Sequence, residues 1–319
     1  MGTRCRMCVG VCITYLYVLS VVVVSTPFTA LIRDANITQL ETQGRILTQW
    51  TSFQAQLATF TFPQIGSISH FSKDTGPVIG PLATAALDGL PSAGPFSSAR
   101  DYLLAVAESR LNRAVNTKDT NPFTRLGLFT FLDIVRTTDI FDHVSTSSGP
   151  FPLNHMDMGI QNLLVNNNDD TPTIIAVIDW EMAQSAPWEV FHYPMPFPLL
   201  MADEQIGKIL ADTEHVAHRN TVKQDKTREL HRARFTDAEK TLADGGRPLL
   251  FSIAAVLAQD SSRVYGIAEK VGVFEGMEEM LTRELVRLGY GLEGKAVERK
   301  MKELEREMRG LYPDVLGGE

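Results

Sequence analysis

The sequence predicts an α+β chain, mainly α, with one short β-hairpin set among amphipathic helices and an apolar helix ahead of them. Three observations carry this. Apolar residues recur at helical spacing over several long stretches. Residues 163–165 and 174–178 are β-like runs, and the polar segment 166–172 between them supplies turn residues. With 44% hydrophobic and 21% charged residues among 319, the composition is that of an ordinary globular protein rather than a disordered one.

The apolar element comes first. Residues 7–24 carry no charge, follow Arg4 and Arg6, and are closed by Ser25, Thr26 and Pro27. Eighteen residues lie just under the roughly 20 that span a hydrocarbon core. Residues 1–33 are therefore expected to be a signal anchor or signal-like segment, giving a membrane protein with a single N-terminal span and a translocated body. The alternative is a cytoplasmic protein whose true start lies elsewhere. Cys5, Cys8 and Cys12 are the only cysteines, so the body can hold neither a disulfide framework nor a cysteine-ligated metal.

Residues 34–319 read as one continuous domain. From Leu47 through Trp50, Phe53 and Leu57 the spacing suits a helix facing a core, ended by Pro63 and Gly66. Residues 73–95 have no sustained periodicity and read as a surface loop. Ser98, three residues before Asp101, is a capping-box-like start to a helix through Leu103, Val106, Ala107, Leu111 and Ala114. A further helix is expected over 126–135. Two stripes close the chain, Met277 to Leu288 and Val297 to Leu311, facing either the core or a partner. The pairs Glu298 with Lys302 and Glu305 with Arg309 are expected on the solvent side.

Charge narrows the partners. Thirty Lys and Arg against thirty-eight Asp and Glu leave a net charge of −8, with no cationic excess to neutralise a phosphate backbone. Nucleic acid is not expected as a ligand.

The chemistry lies between residues 149 and 200. His155 and Asp157 are followed after four residues by Asn162, then by the hairpin and Asp179-Trp180-Glu181. Folding back near position 170 sets Asn162 against Asp179, within roughly 5 Å as cross-strand neighbours. Asp157 overhangs the same end. An acid, an amide oxygen and a carboxylate at one hairpin mouth suit magnesium-assisted phosphoryl transfer, because Mg²⁺ is a hard cation that takes oxygen ligands. In that arrangement Asp157 orients the acceptor hydroxyl, and His155 supports the loop.

The pattern HxDxxxxN followed by a hairpin and IDWE resembles the aminoglycoside phosphotransferase and choline kinase-like family. The longer wording APWEVFHYPMPFPLL is similar to a large fungal set of phosphotransferase-family proteins of unassigned substrate. The resemblance covers about residues 37–312. It implies a protein-kinase-like helical C-terminal lobe, with Asp157 as catalytic base, Asn162 and Asp179 as metal ligands, and Mg²⁺ and ATP as cofactors. The acceptor it implies is a small-molecule hydroxyl. The sequence departs from the family at Met156, where glycine is usual.

A kinase-like enzyme also needs a nucleotide lobe of several strands with a phosphate-pairing lysine. No lysine precedes Lys73, and hardly a dozen residues separate the apolar run from the first helix. Losing such a charge partner costs about 2–5 kcal/mol, roughly 30-fold to several thousand-fold in rate. Two expectations follow. One is a phosphotransferase whose uncovered lobe face calls for a protein partner. The other is a catalytically degenerate, membrane-tethered binding module.

Overall fold

The computed structural model describes residues 26–27, 40–74, 76–83, 94–142, 147–159, 162–166, 173–190, 203–273 and 275–313. These residues form a mainly helical α+β fold with small antiparallel sheets, in agreement with the sequence.

Helix α1 (Leu40–Ala58) buries Leu47, Trp50 and Leu57, while Phe60 just beyond it is exposed. A five-stranded sheet follows, assembled from β2 (Thr61–Phe62), β3 (Gly66–Ser72), β4 (Gly76–Gly80), β5 (Phe151–Asn154) and β8 (Gln184–Ser185) in the order β2-β5-β8-β3-β4. Its β3–β4 hairpin corrects the expectation of an irregular loop from residue 73. Strand β4 is the five-residue stretch GPVIG, too short and too glycine-rich to show an alternation, and it is held by its register against β3. The close approach needs glycine at 66, where an added Cβ would lie 2.1 Å from the Gly80 carbonyl oxygen.

Helix α2 (Ala99–Asn116) starts where its cap predicts, with the Ser98 hydroxyl accepting from the Asp101 N–H at 3.1 Å. Helix α3 (Pro122–Thr137) is longer than the expected 126–135, because the Asn121 side chain caps its start and Pro122 occupies the first turn. The expected catalytic hairpin is present as β6 (Leu163–Asn166) and β7 (Thr173–Val177). With β1 (Thr26–Pro27) these make a three-stranded sheet in the order β1-β6-β7.

Helices α4 (Asp203–Ala211), α5 (His218–Asp244), α6 (Ile253–Leu257), α7 (Asp260–Ala268), α8 (Glu278–Gly289) and α9 (Lys295–Leu311) complete the described chain. The α9 stripe faces the core: Val297, Met301, Leu304 and Met308 are buried, and Leu311 is 65% exposed. Glu305 pairs with Arg309 at 2.8 Å as expected. Glu298 instead reaches Arg283 on α8, since the α8–α9 packing brings that guanidinium closer than the same-face lysine.

Two buried clusters result. Helices α2, α3, α7, α8 and α9 enclose the larger one. Helices α1, α5 and α6 close the smaller one over the β6–β7 hairpin through Trp50, Phe235, Val256 and Leu163. Strand β5 lies on the seam, contributing Phe151 to the first and Leu153 to the second. The 3-10 turn Trp188–Val190 does the same through Val190 and Trp188. The chain leaves this seam at Asn154 and enters the candidate site.

The membrane expectation is not upheld. Among the described residues no helix is long and apolar enough to cross a membrane. Residues 7–24, on which the expected span and the apolar helix rested, lie outside those described, and at eighteen residues the run is short for a crossing.

Candidate functional site

The site begins where β5 ends. The Asn154 side chain bridges, its Nδ2 donating to the Val190 carbonyl at 3.3 Å and its Oδ1 accepting from the Met156 N–H at 3.1 Å. That second bond turns the chain sharply, and Met156 sits at φ 63. The position is left-handed, where an L side chain costs about 1 kcal/mol that glycine avoids. Asn154 is a positioning residue the sequence did not reveal; its one signal is an asparagine at a strand end, a residue type that commonly caps the adjoining backbone.

Beyond the turn, Asp157 and Asn162 meet directly. The Asn162 Nδ2 donates to the Asp157 carboxylate at 3.0 Å and to its backbone carbonyl at 2.7 Å. Asn162 is buried and Asp157 half-buried, so the carboxylate is held by a neighbour that cannot swing away.

Asn162 is tied to the far strand by its backbone. Its carbonyl accepts from the Ile178 N–H at 2.9 Å, extending the ladder one step beyond the Leu163–Val177 pair. Asp179 is the next residue, exposed and at φ 66. Among the described residues, Met156 and Asp179 are the only non-glycine positions with positive φ, and both lie here. Aspartate tolerates that conformation better than most side chains.

His155 lies underneath, fully buried. Its Nε2 donates to the Ile178 carbonyl at 3.0 Å, and its ring meets Trp180 edge-on at 4.6 Å between centroids. Trp180 in turn donates from Nε1 to the Val177 carbonyl at 2.8 Å. The imidazole thus braces the backbone just before Asp179 and the Trp180 ring just after it. Burial lowers its pKa below the ordinary 6.5, outweighing the opposing pull of the Ile178 carbonyl and of the Asp157 and Asp179 charges.

All four predicted residues therefore converge at one end of the β6–β7 hairpin. Direct side-chain contact joins Asp157 to Asn162, whereas Asp179 reaches them through the backbone of Ile178. Among the described residues no group of three or more His, Cys, Asp or Glu side chains stands at metal-holding distance. A cation here would rely on Asn162 and Asp179 together with oxygens from its ligand. The donor chemistry fits: the amide nitrogen of Asn162 is committed to Asp157, which leaves the amide oxygen as a ligand for a hard cation, and Asp179 adds an exposed carboxylate. No family model, curated protein or solved structure matches the chain.

Proposed function

We propose that this chain is a phosphotransferase-type protein of the aminoglycoside phosphotransferase and choline kinase-like family, built as a kinase-like C-terminal lobe. Its reaction would move the γ-phosphoryl group of ATP, with Mg²⁺, to a hydroxyl of a small molecule. The observation that carries the reading is the Asn162 side chain bonded to Asp157, with its backbone bonded beside Asp179.

Each residue has a chemical task in this reading. Asp157 orients the acceptor hydroxyl and takes its proton as that oxygen bonds to phosphorus. The Asn162 amide fixes which way the carboxylate faces. Asn162 and Asp179 would hold Mg²⁺, which when bound supplies charge stabilisation to the phosphates. His155 keeps the Ile178–Asp179 backbone in place without entering the chemistry.

The test is Mg²⁺-dependent ATP hydrolysis by the purified chain and by Asp157→Ala, with small amino sugars and amino alcohols as acceptors. A general base contributes about 10² to 10⁴ in rate, so the variant should lose at least 100-fold. Equal, background-level rates for both proteins would remove the enzyme reading.

A further inference from the structure

We infer that the acid-lined groove between the turn after α3 and the α6–α7 junction binds a linear aliphatic polyamine. The groove holds about 520 Å³ and opens to solvent, within the size range of small-molecule sites. It shares no residue with the hairpin mouth, and the inference does not rest on the phosphotransferase reading.

Two segments build it. Phe141 is buried edge-on against Phe131 of α3, at 6.1 Å between ring centroids, which pins the turn carrying Asp139, Ile140 and Asp142 to the larger core. Tyr265 of α7 meets the same Phe131 ring at 6.5 Å and so fixes the junction that supplies Gln259, Asp260 and Ser261.

Three carboxylates line the groove. Asp142 pairs with Arg100 and Asp260 with Arg263 at 3.2 Å, whereas Asp139 has no ion pair among the described residues. Negative charge is therefore left over for a cation. The start of α7 offsets only about half an elementary charge.

A second observation is independent of charge. Ser261 is fully buried at the second position of α7, yet its hydroxyl has no hydrogen-bond partner among the described residues, and neither has the Gln259 Oε1. Buried polar atoms left unpaired carry a desolvation cost, which an N–H group entering the groove removes. Both residues line it.

These features select the ligand. Among the described residues no three acidic side chains stand at metal-holding distance, so a compact divalent ion finds no cage. An extended polyamine meets the geometry instead: its ammonium groups reach separate carboxylates, and its methylenes lie along the half-buried Ile140.

The test is calorimetric titration of the full-length chain with spermidine at roughly 0.15 M salt, where diffuse attraction to the net charge of −8 is largely screened. A single saturable site is expected. Asp139→Asn should weaken it about fivefold and Ser261→Ala about threefold. Asp119→Asn combined with Asp244→Asn removes two exposed acids outside the groove and should change the affinity by less than about twofold. Binding that never saturates, an equal loss in the Asp119 and Asp244 variant, or full affinity in Ser261→Ala would each overturn the inference. Capture of an oligolysine peptide without any binding of spermidine would overturn it too, by making the ligand a protein.

Discussion

His155 shows how a single buried imidazole can hold a site together without acting in it. Its ring is neutral in the fold because burial outweighs two nearby carboxylates, and the neutral ring is the form that donates from Nε2 to the Ile178 carbonyl. In the unfolded chain the same histidine titrates near 6.5. Below that pH the unfolded state binds the extra proton first, so stability should fall as pH drops through about 6.5 and level off below the lowered folded value. Chemical denaturation from pH 8 to pH 5 should show this slope, and His155→Gln should flatten it; an unchanged slope in the variant would assign the effect to another group. The two left-handed residues belong to the same scale. Met156 is turned by the Asn154 side chain and Asp179 is braced by His155, so the strain lies on either side of the hairpin mouth.

At the scale of elements, a cap and a stripe together set helix α2. Ser98 satisfies the Asp101 N–H, and Ser98→Ala should cost α2 about 1 kcal/mol, seen as a lower denaturation midpoint with an unchanged denaturant slope. Helix α9 is amphipathic enough to face either a partner or the core, and periodicity alone cannot separate the two. The contacts decide: its buried stripe joins Leu281 and Leu285 of α8 and the α3 residues in the larger cluster. The stripe that could have faced either the core or a partner is therefore in the core, apart from Leu311. Strands β2, β4 and β8 are the opposite case. Strands of two to five residues carry too few positions to display an alternation, so they exist only through their pairing partners.

For the whole molecule, the consequential arrangement is the seam between the two cores, because the site leaves β5 at that seam. Helix α5 is polar along most of its length, yet it packs extensively on α1 through Phe235, Ala238 and Leu242. Trp50 is the largest side chain at the centre of that packing and is fully buried. Trp50→Ala should therefore destabilise the fold by about 3–5 kcal/mol, measured by denaturant unfolding. Because the smaller core also backs the β6–β7 hairpin, the same substitution should loosen the Asn162–Ile178 backbone bond. Faster amide hydrogen exchange at Ile178 is the readout; protection equal to the parent protein would mean the hairpin is held independently of α1.

The sequence by itself determined the helices with clear stripes, the cap at Ser98, the hairpin over residues 163–177, and the placement of Asp157 and Asn162 at its mouth; it set Asn162 against Asp179, whereas the ladder puts Ile178 there. Each of these is encoded within about 20 residues, where the 3.6-residue and two-residue periods and turn chemistry act directly. Only the tertiary structure decided the five-stranded sheet, whose β5 and β8 return to β2 and β3 across some 90 to 120 residues, and the direction in which α9 faces. Pairing across that distance depends on which surfaces remain unburied once the helices have packed, and no local pattern of side chains carries that information.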